Sequence, residues 1–377
     1  MPFKSTTFSH LLSLIPRKKF QECVDRYRGD KYAKSFSCWN QFVSILYLQL
    51  TGKRSLRELS VSFNHHENTW YHLGCGPVKR STLSDANDKR DFRIYADLLR
   101  SLISTISRKD QKTLGQSIHI LDSTFISLHQ TLHPWASQGH RVYGLKAQVV
   151  YAPAQQLPIQ LEITHANIND PFFFKRLKPE RKTLYLFDRG YWDFRGWKKI
   201  LSHQADFLTR TKNTLTYRSI RSLDVHSESI LSDDYVQLTS EKGKRILGDK
   251  ALRVIRGKDN QGRIIELITS KLHESASHLL ELYRKRWAIE VFFKWIKQKL
   301  KIKRYVGRSE NAIRIQLIIA IIAFILLRLC HELTQSPLEL CYFFSVFSEH
   351  LMRPLNRKIF DPPPNLKKNI LNQWVRS

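Results

Sequence analysis

The period of the apolar positions changes along the chain. Up to about residue 100, apolar residues recur at helical spacing between polar turns at Arg28-Gly29-Asp30, Thr51-Gly52-Lys53 and Gly74-Cys75-Gly76-Pro77. This predicts helices over Ser37–Leu50 and Ser55–Phe63. A third opens at Ser81, N-capped by Ser81, Thr82 or Ser84, and runs through Arg90 towards Leu99. From about residue 115, apolar alternation and short β-rich runs take over. They predict strands at Ser117–Leu121, Ala147–Tyr151, Pro158–Thr164, Thr183–Phe187 and Asp206–Thr211, with helices at Pro171–Leu177 and Tyr191–Leu201. Residues 212–273 are polar and strand-like, clearest at Leu252–Arg256 and Ile264–Ser270 around a turn at Lys258–Gly262, and read as an insertion. The chain is then helical from Ser275 to Lys299 and again over 311–329.

The order strand, strand, strand, helix, strand, helix, strand is that of a ribonuclease H-like α/β domain. The expected organisation is an all-helical domain over 1–105 and an α/β domain over 115–330 interrupted by the β-rich insertion. A helical tail over 331–377, marked by Asp361-Pro362-Pro363-Pro364, completes it. Short helices joined by Gly-containing turns, the last led by Lys79-Arg80-Ser81-Thr82, suit a helix-turn-helix-like DNA reader. An all-helical domain with a solvated basic face fits the same pattern. The longest apolar run, Leu317 to Leu327, falls short of the roughly 20 residues a bilayer span needs, so a buried helix and no membrane are expected.

Charge narrows the function. Lys and Arg number 62 against 33 Asp and Glu, a net +29 at pH 7 in 377 residues. Self-repulsion of that size is tolerated where a polyanion neutralises it, which disfavours an enzyme of small metabolites. A hydrophobic content of 42% excludes a disordered basic tail. Residues 1–100 hold 17 basic and 9 acidic side chains, 101–275 hold 27 and 17, and 276–377 hold 18 and 7. Positive charge therefore lies in every part, and nucleic acid is the expected partner. The five cysteines, Cys23, Cys38, Cys75, Cys330 and Cys341, form no CxxC pair, which predicts a reduced, zinc-free intracellular protein.

Two aspartates follow apolar strands: Asp122 in SIHILDSTFISL and Asp188 in TLYLFDRGYW. Each is followed by small or turn residues, at the edge where open α/β sheets bind ligands. Either alone also fits a turn or a helix cap. In LYRKRWAIEVFFKWIKQKLKIKR, a single helix places Tyr283, Arg286, Glu290 and Lys297 on one stripe about 60° wide. Leu282, Ile289, Phe293, Ile296 and Leu300 fall on the adjoining, core-facing side. Lys294, Lys297, Lys299, Lys301, Lys303, Arg304 and Arg308 then form a basic run without an acid. Trp295 and Tyr305 are interleaved and could stack on bases, although such a run also fits a solvated face.

An Asp after the first strand, an Asp after the fourth, a β-rich insertion and YxxRxxxExxxxxxK on a helix together resemble the DDE transposases of bacterial insertion sequences, in the Y-R-E-K signature group (the IS-four family). KYAKSFSCWNQFVSILYLQLTGKRSLREL resembles the helical N-terminal domain of one branch of that family. The resemblance implies that Asp122, Asp188 and Glu290 hold two Mg²⁺ ions, with Mn²⁺ as a substitute, and that Tyr283, Arg286, Lys294 and Lys297 bind DNA. It further implies double-stranded DNA, as terminal inverted repeats and target, as the partner, a homodimer on that DNA, and a bacterial cytoplasmic, nucleoid-associated location. Members that pass through a DNA hairpin use an aromatic in the insertion. Residues 212–273 hold no Trp, only Tyr217 and Tyr235. Two other readings are a ribonuclease H-like nuclease without joining activity and a catalytically silent DNA-binding repressor.

Overall fold

The computed structural model describes residues 5–110, 116–137, 143–225, 227–259, 261–300 and 305–354. Lys301, Lys303 and Arg304 of the basic run, and the proline run of the tail, lie outside them. Helices α1 (Thr7–Ser13), α2 (Arg17–Arg26), α3 (Cys38–Thr51), α4 (Leu56–Asn64), α5 (Trp70–Leu73), α6 (Arg80–Lys89) and α7 (Arg93–Asp110) come first. Strands β1 (Ser117–Ser127), β2 (Gly144–Ala152) and β3 (Leu157–His165) follow. After them come helix α8 (Phe173–Arg176), β4 (Thr183–Phe187), α9 (Phe194–Ser202) and β5 (Asp206–Arg210). The region expected as an insertion forms β6 (Tyr217–Ser222), β7 (Ile230–Leu238), α10 (Glu241–Leu247), β8 (Leu252–Lys258) and β9 (Ile264–Thr269). Helices α11 (Ala276–Arg284), α12 (Trp287–Gln298), α13 (Glu310–Thr334) and α14 (Leu340–Glu349) close the described chain.

The chain divides into two compact units. One comprises Met1–Lys109, Ser127–Gln138 and Lys294–Ser377, the other Asp110–Ile126 and Gly139–Phe293. This differs from the linear division expected, because α13 belongs with the N-terminal helices. Every residue of Leu317–Leu327 is buried, and α13 packs on α1, α3, α6 and α14. At 25 residues it is long and apolar enough to cross a bilayer, but 83% of its most apolar window is buried inside the protein. Helix α3 is its counterpart, buried from Cys38 to Leu50. Ser37 Oγ accepts from Asn40 N at its start, and Gly52 in the left-handed region (φ 64°) ends it.

The helix expected to run from Ser81 past Arg90 is two helices, α6 and α7. None of Ser81, Thr82 and Ser84 caps it; α6 starts at Arg80 after an extended Lys79. Arg90 leaves the helix in extended conformation, and its guanidinium donates to the carbonyls of Ser37 (2.8 Å) and Phe36. The Asn311 side-chain amide donates to the carbonyls of Asn87 (2.8 Å) and Arg90 (2.6 Å) that the break exposes. Long-range partners, not local propensity, set this boundary.

In the second unit the nine strands found among the described residues form one sheet of order β3-β2-β1-β4-β5-β9-β8-β7-β6. Strands β1, β4 and β5 are parallel neighbours, β2 and β3 form an antiparallel pair, and β5 to β9 is antiparallel. The four strands of the insertion extend the sheet through Leu208↔Thr269. One face is covered by α8 and α9 over an aromatic core, where Trp197 stacks on Phe207 (centroids 4.6 Å apart) and Phe174 meets Phe187 and Tyr191 edge-on. Losing a side chain such as Trp197 costs about 3–5 kcal/mol.

The helical stretch 275–299 is also interrupted. Helix α11 ends at Arg284 and α12 starts at Trp287, with three-residue bonds from Lys285 N to Leu282 O and from Arg286 N to Tyr283 O at the joint. The four-residue stripe thus spans two helices. Its core-facing side is as expected: Leu282, Ile289, Phe293, Ile296 and Leu300 are all buried.

Candidate active site

The parallel register of β1 and β4 brings the two aspartates together. It pairs Ser117 with Thr183 through to Leu121 with Phe187, so the next residue on each chain is Asp122 and Asp188. Paired positions on parallel neighbours point to the same face and lie about 4.8 Å apart. Strand β1 does not end there but runs to Ser127, so Asp122 stands inside a strand just past its paired stretch. Asp188 ends β4 as expected, and its Oδ1 accepts from Gly190 N at 2.7 Å. A β-carbon on Gly190 would lie 2.8 Å from Asp188 Oδ1 and 3.3 Å from Asp170 Oδ2, so a glycine is what lets the backbone pass between two carboxylates.

Glu290, in the first turn of α12, reaches the same cluster through Arg286. The Arg286 guanidinium donates to Glu290 Oε1 at 2.5 Å and approaches Asp122 Oδ2 at 3.4 Å. Burial pushes the Asp122 carboxyl up to about 6; the Ser123 amide and Arg286 oppose this, while Asp188 and Glu290 add to it. Burial also works against the Arg286 charge, but the bond to Glu290 and the nearby acids outweigh it and its pKa rises. Burial lifts the Tyr283 hydroxyl to about 12. That hydroxyl is buried with no hydrogen-bond partner among the described residues.

A fourth carboxylate joins them. Asp170 Oδ1 accepts from Ser123 Oγ (2.9 Å) and from Lys146 Nζ (3.0 Å), so β1 and β2 both hold it beside Asp122 and Asp188. Tyr191 is buried nearby; burial, then Asp170 and Asp122, drive its hydroxyl well above the ordinary value. Nothing in the local sequence marks Asp170, which precedes Pro171 in a polar loop. Its partners come from strands 24 and 47 residues away.

Among the described residues, no three His, Cys, Asp or Glu side chains are grouped closely enough to hold a metal ion. The donor chemistry nevertheless suits a hard cation. Asp122 and Asp188 offer carboxylate oxygens side by side, and their mutual repulsion is now offset by Arg286, a cation bridging Asp122 and Glu290.

Other expected contacts fare differently. Lys294 is exposed and Lys297 half-buried, one and two turns beyond Glu290 along α12. Trp295 is no stacking platform: it packs edge-on against Phe324 and Phe344. Tyr305 is half-buried, its hydroxyl enclosed without a hydrogen-bond partner among the described residues and its ring edge-on to His133. In the insertion, Tyr217 packs against the aromatic core. Tyr235 donates to Leu272 O at 2.8 Å under the Arg253 guanidinium. Neither is free to hold a flipped base.

These residues lie within a recognised family segment. Residues 113–326 match the family described as Transposase DDE domain, more than half of the chain, and the protein belongs to that family of DDE transposases. Residues 4–76 match a domain of unknown function, DUF4372. Among individual relatives, the candidate transposase y4zB of Sinorhizobium fredii is 31% identical over 287 residues, 75% of this chain and 80% of that protein. A candidate transposase for insertion sequence element IS5377 of Geobacillus stearothermophilus is 28% identical over 291 residues, 76% of each. A piggyBac transposase synaptic complex with hairpin DNA, solved by cryo-electron microscopy, aligns with a TM-score of 0.44 at 11% identity. The alignment covers 98% of this chain and 83% of that one.

Proposed function

We propose that this transposase binds the terminal inverted repeats of its own element, cleaves the strands at the element ends and joins the freed 3′-OH to target DNA, acting as a dimer. Strands β1 to β5, in the order β3-β2-β1-β4-β5, are read as its ribonuclease H-like core. The observation that carries the reading is the register Leu121↔Phe187, which sets Asp122 beside Asp188, with Glu290 tied to Asp122 through Arg286.

Asp122, Asp188 and Glu290 would hold the divalent ions, with Mg²⁺ as the ordinary occupant and Mn²⁺ as a substitute. Bound ions supply activation of the attacking oxygen and stabilisation of the leaving one in an in-line phosphoryl displacement. Arg286 keeps the like-charged carboxylates compatible and has donors left for a phosphate. Tyr283 presents a hydroxyl that stays protonated at neutral pH, a donor for a phosphate oxygen. Lys294 and Lys297 would continue the contact along the DNA end. A protein acting on chromosomal DNA would work in the bacterial cytoplasm, at the nucleoid.

The test uses the DNA flanking the gene, searched for inverted repeats with a short direct duplication outside them. Wild-type protein should cut a fragment bearing those repeats when Mg²⁺ is added and give joined products with target plasmid. Asp122→Asn, Asp188→Asn and Glu290→Gln should each abolish both while retaining DNA binding. Cutting without joined products would identify a nuclease. Binding with no Mg²⁺-dependent product would identify a repressor.

A further inference from the structure

The helical unit contains a cleft of about 640 Å³ walled by three segments far apart in sequence: Arg54–Arg57, residues on α6, and the loop Tyr305–Arg308. Four arginines line it, Arg54, Arg57, Arg80 and Arg308, all exposed. None of the four pairs with a carboxylate among the described residues. Elsewhere in the same unit Arg26, Arg90, Arg93, Arg100 and Arg314 each do.

Asp88 lines the cleft and Glu58 follows Arg57 in sequence, and both carboxylates already accept hydrogen bonds. Glu58 turns back to accept from Arg54 N at 2.8 Å, and Asp88 accepts from Ser309 Oγ at 2.5 Å. The positive end of α4 adds to the field: Ser55 caps Glu58 N, and the first intrahelical bond is Leu59 N to Ser55 O, which leaves the amides of Leu56 and Arg57 ahead of it. The opposite wall is held in place. Trp135 Nε1 donates to Arg308 O at 2.8 Å and Val306 N donates to Gln316 Oε1 at 3.1 Å.

Four exposed guanidiniums set against the single lining carboxylate of Asp88 leave the cleft with a net positive charge, which favours an anion supplied from outside. Guanidinium forks, a hydroxyl and helix N-terminal amides are the donors that recognise phosphate oxygens. We propose that this cleft is a binding site for the phosphate backbone of duplex DNA, gripping adjacent phosphodiesters through Arg54, Arg57, Arg80 and Arg308. It rests on the reading of the chain as a DNA-processing enzyme. It assigns the contact to a cleft that the C-terminal loop completes, not to the N-terminal helices alone.

The experiment measures binding of the full chain to a fluorescein-labelled duplex about 30 base pairs long over a salt series. The variant Arg57→Gln/Arg80→Gln/Arg308→Gln is compared with Lys18→Gln/Arg28→Gln/Lys34→Gln, which removes the same charge from exposed positions outside the cleft. Circular dichroism establishes that both are folded. The slope of log affinity against log salt should become shallower by roughly 2–3 in the cleft variant, with affinity down about tenfold or more, and stay near wild type in the control. Equal losses in the two variants, or an unchanged slope in the cleft variant, overturn the proposal. If inorganic phosphate or a mononucleotide raises the melting temperature of wild type only, while the DNA slope stays the same, the cleft holds a small anion and the assignment to DNA is wrong. Failure here leaves the catalytic reading intact. If wild type cuts no DNA, that reading fails while the slope still reports on the cleft.

Discussion

Replacing Arg253 tests how the sheet positions the helices of the site. Arg253 on β8 and Asp233 on β7 form an ion pair whose side chains are 4% and 5% exposed. Arg253 Nε donates to Asp233 Oδ1 at 2.7 Å and Nη2 to Oδ2 at 2.5 Å. Its Nη1 donates to Leu272 O at 2.9 Å and also to Glu274 O. One guanidinium thus pins the connection from β9 to Ser275, the cap of α11, and α11 leads to Tyr283 and Arg286. Arg253→Met leaves a buried carboxylate without its cation and the Glu274 carbonyl without this donor, while Leu272 O keeps the Tyr235 hydroxyl. The expected loss is about 3–5 kcal/mol, the cost of breaking rather than replacing a buried pair. Asp233→Leu added to it removes the stranded charge and should recover most of that loss, because an apolar pair of similar volume is often near neutral. Urea unfolding followed by tryptophan fluorescence gives the energies, and amide exchange over 270–276 gives the local effect, which should be faster in both variants. A loss under about 1 kcal/mol for Arg253→Met would refute this account. So would a double variant no more stable than the single one.

Three further outcomes follow from the same geometry. Burial lowers the His119 pKa to about 4 against an unfolded value near 6.5, so the unfolded chain takes up the proton first. Stability is then full above about pH 6.5 and falls as pH drops towards 4, by up to about 3 kcal/mol; His119→Phe should flatten that part of a melting-temperature profile. Gly190→Ala drives a methyl into the Asp188 and Asp170 carboxylates, and should cut Mg²⁺-dependent cleavage about tenfold or more with unchanged DNA affinity. Normal cleavage would mean that the loop moves freely. Asp170→Asn weakens the hold of Lys146 and Ser123 on the site; cleavage should fall and need more Mg²⁺ for half-maximal rate, and a rate loss with no shift in Mg²⁺ dependence would show that Asp170 acts only on stability.

What was legible in the sequence is what short segments determine. Leu121 and Phe187 end apolar runs and an acid follows each, so two neighbouring strands announce a shared carboxylate site. The buried face of α12 is legible because 3.6-residue spacing survives the break before it. The break itself, at Lys285 and Arg286, depends on Arg286 reaching Asp122, 164 residues away. The end of α6 at Arg90 likewise depends on the carbonyls of Phe36 and Ser37. Asp170 does not end an apolar strand, and an acid so placed becomes part of a site only through the strands that hold it. The β-rich character of the insertion was legible but its place in the sheet was not: a polar strand carries little information on which edge it will join, and pairing of β9 with β5 bridges 61 residues at Leu208↔Thr269.

The charge excess resolves into two kinds of cation. Arg253, Arg90 and Arg286 are partly or wholly buried, each held by a carboxylate, and each fixes a junction: the start of α11, the end of α6, the approach of α12 to β1. Removing any of them should be felt as loss of fold or of site geometry. Arg54, Arg57, Arg80 and Arg308 fix nothing; they are exposed, lack acidic partners and crowd one cleft. In a chain at +29 such crowding costs self-repulsion, and a polyanion in the cleft, as proposed above, would relieve it. Among the described residues, the distinction between paired and unpaired arginines therefore separates those that build the protein from those that, on the proposal above, meet DNA, and net charge alone does not make that separation.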